Sequence, residues 1–303
     1  MSTLISIFVD NILPVFIAAG LGYLLDHKFH LDVKTISRTS FYVLAPCLIF
    51  TSLTRSSVSG EELGRIVLFQ VLVTAMLLIV TWSSARLARL SRQRESAFLL
   101  SVVFVNAGNY GLSVNLFAFG EEALARALIY FVGSTVLLNS LGIFLASRGR
   151  ADAKTALLNV FKVPMIYAVI LAFVARSLPW SVTETSWFRG LDTRGRAGVP
   201  VMLLLLGMQL ARNSLGKELR RISAATFMRL VLAPLLSLAL AAVMGLAGDT
   251  RRACVLEASM PTAVTSVILA LEFDVLPDFV TGVIFLSTLL SPLSLTVLIA
   301  LLR

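Results

Sequence analysis

Long apolar blocks alternate with short polar joints along the chain. Ten blocks can be delimited, at residues 4–25, 41–53, 66–84, 97–119, 123–146, 157–175, 198–210, 225–247, 253–273 and 277–302. Within a block the apolar residues run on almost without interruption rather than recurring as one stripe. That pattern predicts transmembrane helices, each of which needs ~20 mostly apolar residues to cross ~30 Å of hydrocarbon. Blocks two and seven are shorter than a full crossing, which tilt, flanking residues or local thinning of the bilayer would accommodate. Block one has full spanning length. It lacks a basic leader and a small-residue cleavage motif, so it is read as the first span rather than a signal peptide. The longest polar stretch, 176–197, carries Trp180 and Trp187 and reads as an interfacial segment. No soluble domain fits between the blocks.

Composition agrees. Of 303 residues, 57% are hydrophobic and 14% charged, against about 25% charged in a soluble domain. The net charge of +9 sits between the blocks, where cytoplasmic loops collect Lys and Arg. No basic run is interleaved with stacking aromatics, so no nucleic-acid partner is expected. The partners implied are the lipid bilayer and whatever small molecule crosses it. Cys47 and Cys254 both lie in apolar context, and His27 and His30 share one short loop, so neither a disulfide framework nor a metal site is expected. With ten spans, the loops opposite the N-terminus hold 14 Lys and Arg, including Arg148, Arg150, Lys154 and Lys217. The N-terminal side holds ten, while Lys162 and Arg229 lie just inside adjoining helix ends. This bias places both termini on the non-cytoplasmic side of a cell (inner) membrane.

The two halves, 1–146 and 147–303, share features in the same order. Ser134-Thr135-Val136-Leu137 in block five matches Ser287-Thr288-Leu289-Leu290 in block ten. Pro14 and Pro164 occupy comparable places in blocks one and six, as do Pro46 and Pro200 in blocks two and seven. Arg92 and Arg94 precede block four as Arg251 and Arg252 precede block nine. Five spans per half make the second copy enter the membrane inverted, an arrangement typical of secondary transporters.

Blocks four and nine are both interrupted at depth. Block four contains Asn106-Ala107-Gly108-Asn109-Tyr110-Gly111, where two glycines weaken the helix. From Arg94 to Gly108 is 14 residues, roughly 21 Å of helix. Block nine contains Met260-Pro261-Thr262, and Pro261 cannot donate its backbone hydrogen bond. One such break is an ordinary kink. Paired breaks in matching positions, with Thr265 and Ser266 nearby, point to a substrate site near the midplane. The second half of each broken helix would aim its N-terminal dipole at the centre. This would hold an anion without a buried arginine or lysine. Asn106, Asn109, Thr262, Thr265 and Ser266 would add neutral donors; Gly108, Tyr110 and Pro261 would shape the site.

Glu257 is the carboxylate well inside a span and close to a break. It is a candidate for a coupling proton or sodium ion, with an ion pair to Arg251, Arg252 or Arg126 as the structural alternative. Gln209 and Asn139 are expected to hydrogen-bond between helices. No Gly-x-Ser-x-Gly, His-Glu-x-x-His or spaced acid pair suggests an enzyme, and no cofactor is implied beyond the coupling ion.

These residues resemble the auxin efflux carrier family. The likeness is carried by Leu13-Pro14 through Gly20-x-Gly22-Tyr23-Leu24, by Tyr42 to Phe50 around Pro46, and by Asn106 to Gly111 followed by Phe119-Gly120. It continues through Met260-Pro261-Thr262-Ala263 and Ser287-Thr288-Leu289-Leu290-Ser291, so it covers nearly the whole chain. The resemblance implies an all-α membrane protein of ten helices in two inverted five-helix repeats. It implies a scaffold of helices one, two, six and seven, and transport helices three to five and eight to ten, with four and nine broken and crossing. It further implies carriage of a small organic anion, such as a carboxylate or dicarboxylate, through an elevator-like crossover, and a homodimer. The chain lacks a long hydrophilic loop, as a compact bacterial member would. The bile acid sodium symporters share this architecture, and Glu257 matches their sodium-binding acid. Pro261 and Thr262 stand where their amides follow it, so a sodium-coupled organic anion symporter is the alternative reading.

Overall fold

A computed structural model describes residues 3–147, 161–212, 215 and 218–303. The expected start of block six at 157 and the loop cations Arg148, Arg150, Lys154 and Lys217 lie outside the described residues. Among those described, the fold is all-helical, its extended backbone limited to one isolated antiparallel bridge.

Among the described residues, six helices are long and apolar enough to cross a membrane: α1 (Leu4–Phe29), α2 (Val33–Arg55), α3 (Gly60–Leu87), α6 (Glu121–Ala146), α10 (Leu219–Val243) and α13 (Pro277–Leu302). Block four is divided into α4 (Arg92–Val103) and α5 (Leu112–Phe119), and block nine into α11 (Gly248–Ala258) and α12 (Ser266–Glu272). The described part of block six is α7 (Pro164–Arg176). The polar stretch after it forms α8 (Ser186–Arg196), which runs into α9 (Gly198–Ala211) through a one-residue break at Ala197. Block seven is thus lengthened at its N-terminal end by an amphipathic helix, with Trp187 half exposed.

Three prolines inside the spans are accommodated by widened turns, while Pro292 sits inside α13 without one. A proline has no N–H and collides with the carbonyl four residues back. Each of Pro14, Pro46 and Pro234 follows a π-helical turn, at Phe8–Ile12, Ser40–Leu44 and Met228–Leu232. Leu13, Ala45 and Ala233 accordingly donate five residues back, to Phe8, Ser40 and Met228.

Two packed groups emerge. α1 lies along α9, while α2 packs on α7 and α8. The α1–α9 contact is backbone to backbone: a Cβ at Gly22 would strike the Leu204 carbonyl, and one at Gly207 the Ala19 carbonyl. Small residues allow such close approach in a membrane. The other group joins α3, α4, α5, α6, α10, α11 and α13. The outer surface is apolar, with Leu24, Ile79, Val243, Leu271 and Leu293 exposed on different helices. A belt of this kind suits hydrocarbon as its solvent.

Candidate functional site

The two interrupted segments meet. Phe104, Val105 and Asn106 run extended past Pro261, Thr262 and Ala263, with Val105 and Thr262 forming the antiparallel bridge. The Asn106 N–H donates to the Pro261 carbonyl at 2.8 Å, and the Ala263 N–H to the Phe104 carbonyl at 3.0 Å. Asn106, Pro261, Thr262 and Ala263 are all buried. Each break frees backbone groups that a lipid-facing helix could not leave unpaired, and the partner break satisfies them.

The C-terminal end of α4 shows how fully this is done. A helix leaves its last four carbonyls without intrahelical partners. Ser266 Oγ donates to the Leu100 carbonyl at 3.3 Å and Thr262 Oγ1 to that of Ser101 at 2.7 Å. Arg229 Nη1 donates to the Val102 carbonyl at 2.7 Å. Thr262 and Ser266 therefore cap α4 rather than offering free hydroxyls to a ligand.

The remaining expected residues are spread around the crossing. Asn106 is 6% exposed, and its side-chain Nδ2 has no hydrogen-bond partner among the described residues. Asn109 Nδ2 donates to Gln209 Oε1 on α9 at 3.0 Å, which makes Gln209 the interhelical partner expected of it. The Tyr110 hydroxyl is buried and shares a 2.9 Å hydrogen bond with Ser291 on α13. Gly108 is required by space: a Cβ there would come within 2.6 Å of Phe131 Cε2. Thr265 is exposed.

Glu257 is fully buried on α11. Its Oε1 accepts from Asn115 Nδ2 at 2.9 Å, and the same amide nitrogen reaches the Gly111 carbonyl at 3.0 Å. Glu257 Oε2 and Asn115 Oδ1 have no hydrogen-bond partner among the described residues. A Cβ on Gly111 would collide with this carboxylate. The expected alternative for Glu257, an ion pair with Arg251, Arg252 or Arg126, does not form among the described residues. Arg126 pairs with Glu62 and Glu122, and Arg252 with Asp249.

One cation that the sequence reading does not place at depth is buried next to the crossing, with its guanidinium on backbone carbonyls. Arg229 is 0% exposed and is the largest fully buried side chain. Besides Val102, its Nη2 donates to the Ala258 carbonyl at the end of α11. Sequence reasoning placed it near a helix end because the joint before α10 is basic. The turn at Met228–Leu232 carries it inward, ten residues past Leu219. Asn115 and Ser287 were also missed. Ser287 Oγ accepts from the Thr262 N–H at 3.2 Å. Asn115 lies four residues after Gly111 in a helix whose other polar residue is Ser113, and its pairing with Glu257 leaves no local mark in the sequence.

A cavity of about 670 Å³ opens between α1, α2, α8 and α9 on one side and α5 and α6 on the other, and none of the crossing residues Phe104–Gly111 or Met260–Ser266 lines it. Its walls are largely apolar, with Pro14, Leu48, Leu116 and Leu203 among them, and its rim carries Arg55, Asp192 and Arg196. Asp192 is shared by Arg55 at 2.7 Å and Arg196 at 2.9 Å. Partial burial pushes its carboxyl up, but the two guanidiniums outweigh that and hold it below the usual carboxylate range.

Residues 7–299 match the family model described as membrane transport protein. The chain belongs to this family, that of the auxin efflux carriers its motifs resemble. It is thus a multi-pass membrane protein of a transporter family. It is 30% identical over 292 residues to an uncharacterized transporter of Methanothermobacter thermautotrophicus, covering 94% of this chain and 95% of the relative. A second uncharacterized transporter, from Methanocaldococcus jannaschii, is 23% identical and covers 85% and 86%. A protein of Rhizobium meliloti named "Putative malonate transporter" is 26% identical over 312 residues, covering 96% and 95%. As a member of this family the chain acts on a small molecule within a lipid bilayer, and the crossing is the feature with which that function must be reconciled.

Proposed function

We propose that the chain is a secondary carrier for a small organic anion, such as a carboxylate or dicarboxylate, in the cell membrane. It has ten spans in two inverted repeats, 1–146 and 147–303, and an elevator-like crossover as its substrate site. One observation carries this reading: two helices broken at depth are joined by backbone hydrogen bonds between Asn106 and Pro261 and between Phe104 and Ala263. Irregular backbone at such depth is tolerated where it is buried in protein or lines a cavity, and paired breaks mark transporter sites. The second half of block four starts at Ala107 with its N-terminal end at the crossing, where the unpartnered Asn106 amide adds a donor. Both favour an anion. The close α1–α9 and α2–α7 packing supports a scaffold of helices one, two, six and seven. The relative named for malonate supports the substrate class. The test is uptake of radiolabelled malonate, succinate and acetate into proteoliposomes. Asn106→Ala and Asn109→Ala should each weaken it; unchanged flux in both removes the crossing from the mechanism.

The second reading is a sodium-coupled symporter of the bile-acid type. Glu257 Oε2 and Asn115 Oδ1, two buried acceptor oxygens without partners, favour it. Asn115 supplies from α5 an amide that block nine lacks after Glu257. A sodium gradient with no effect on flux, together with a silent Glu257→Gln, rejects this reading.

A further inference from the structure

We propose that Arg229 is a positioning residue of the crossover: one guanidinium ties the C-terminal ends of both broken helices together and supplies their counter-charge. The proposal rests on the crossing being the transport site. α4 ends at Val103 and α11 at Ala258, and each such end carries about half a negative charge. Together they amount to about one charge, which a single arginine balances. Its Nη1 reaches the Val102 carbonyl and its Nη2 the Ala258 carbonyl, so the two donors of one planar group engage two different helices. Lysine, a single ammonium on a flexible stem, has no such fork.

Depth excludes a casual role. Arg229 lies ten residues beyond Leu219, roughly 15 Å along α10. A charge there is costly unless compensated, and no carboxylate forms an ion pair with it among the described residues. Its compensation comes from the two helix ends. With these neutralised, the N-terminal end at Ala107 and the Asn106 amide dominate the field that an incoming anion meets. Without Arg229 the two negative ends would face each other across the centre and oppose that anion.

The experiment uses the full chain in proteoliposomes, with radiolabelled malonate, succinate and acetate as probes, and Arg229→Met and Arg229→Lys as variants. KM, maximal rate and amide exchange of peptides containing Asn106 and Ala263 are measured. Arg229→Met should raise KM roughly tenfold, the scale of a helix-end charge in a buried setting, and speed exchange in both peptides. Arg229→Lys should keep KM within about twofold because the charge remains. Its maximal rate should fall and exchange should still rise, because the fork is lost. Should Arg229→Met fail to yield monodisperse protein, the lysine variant alone decides. Wild-type KM and exchange in folded Arg229→Met, or wild-type rate and exchange in Arg229→Lys, overturns the proposal. So does a KM for Arg229→Lys as high as that of the methionine variant. If the wild type moves none of the probes, yet Arg229→Lys accelerates exchange in both peptides, the carboxylate reading fails and the clamp stands.

Discussion

Replacing Thr262 by valine tests whether the crossing is held by the caps seen at the end of α4. Valine keeps the branched shape and removes the hydroxyl that donates to the Ser101 carbonyl at 2.7 Å. Thr262 is fully buried, so no water can take over that carbonyl. Leaving a buried acceptor unpaired costs about 1–3 kcal/mol in soluble proteins. Interhelical hydrogen bonds inside membranes average about 0.6 and reach about 1.7 kcal/mol, because the unfolded chain also finds partners there. The bond here is short and its acceptor is an orphan of a helix end, so the upper part of the membrane range applies, about 1.5 kcal/mol. At about 2 °C per kcal/mol, the low end of the range for large domains, the midpoint should fall by about 3 °C. Ser266→Ala removes the longer 3.3 Å bond to Leu100 and should cost about a third as much. The assay is thermal unfolding of purified protein in one detergent, with both single variants and the double. A Thr262→Val midpoint within about 1 °C of wild type would refute the reasoning. A serine effect larger than the threonine effect would do the same, because bond length would then not order the caps.

Other expectations follow from the same contacts. Gly207→Val places a branched side chain against the Ala19 carbonyl; it should separate α1 from α9 and cost at least about 3 kcal/mol, seen as loss of the monodisperse peak on size exclusion. The guanidiniums of Arg55 and Arg196 hold the Asp192 carboxyl low, so its stabilising effect is present above about pH 4 and is lost as pH falls through its lower folded value. Melting of the wild type should therefore drop below about pH 4 more steeply than that of Asp192→Asn, and parallel curves would discount the cluster. Gly111→Ala should disturb Glu257 and lower any sodium- or pH-dependent part of malonate flux, leaving the Asn106 peptide's exchange near wild type; an unaltered ion dependence argues against a coupling role for that carboxylate.

Much of the architecture was legible because membrane helices announce themselves by length and composition. Blocks one, three, five, eight and ten appear as continuous helices near their expected bounds, and block two is extended at its start by α2 residues from Val33. Blocks four and nine break close to where Gly108 and Pro261 implied. The glycine signal slightly misplaced the first break: the extended backbone is Phe104 to Asn106, while Gly108 and Gly111 sit in the turn that starts the second half. Those glycines serve close approach, to Phe131 and to Glu257, rather than the interruption itself. Arg229 was not legible because it stands four residues past the start of block eight at 225, where hydropathy assigns an arginine to the nearest loop. The helix itself begins ten residues before it, at Leu219. Only the crossing of α4 with α11 creates the two carbonyl ends that compensate it. Glu257 was recognised by depth, but its partner Asn115 comes from the other half of the chain, and such pairings leave no local mark.

The polar groups at the crossing divide into two kinds, and the division bears on motion. Backbone hydrogen bonds and the Arg229 fork join the two broken helices to each other. They make one body of α4, α5, α11 and α12. That body also packs on α9 and α1 through the Ala107–Gly111 turn, α5 and the Phe16–Tyr110 ring contact, and Asn109 to Gln209 is its side-chain hydrogen bond to α9. Sliding the body past α1 and α9 would sacrifice that bond, at about 0.6–1.7 kcal/mol, would exchange those packing contacts for others, and would leave the crossing intact. The α1–α9 contact would not take part, since Gly22 and Gly207 hold the two backbones together. For the elevator-like movement proposed above, the boundary would run between Gln209 and Asn109. Gln209→Leu tests it: with the bond gone, the body should exchange between its positions more readily, raising maximal flux or shifting KM. A Gln209→Leu carrier with both parameters unchanged would mean that the moving boundary lies elsewhere.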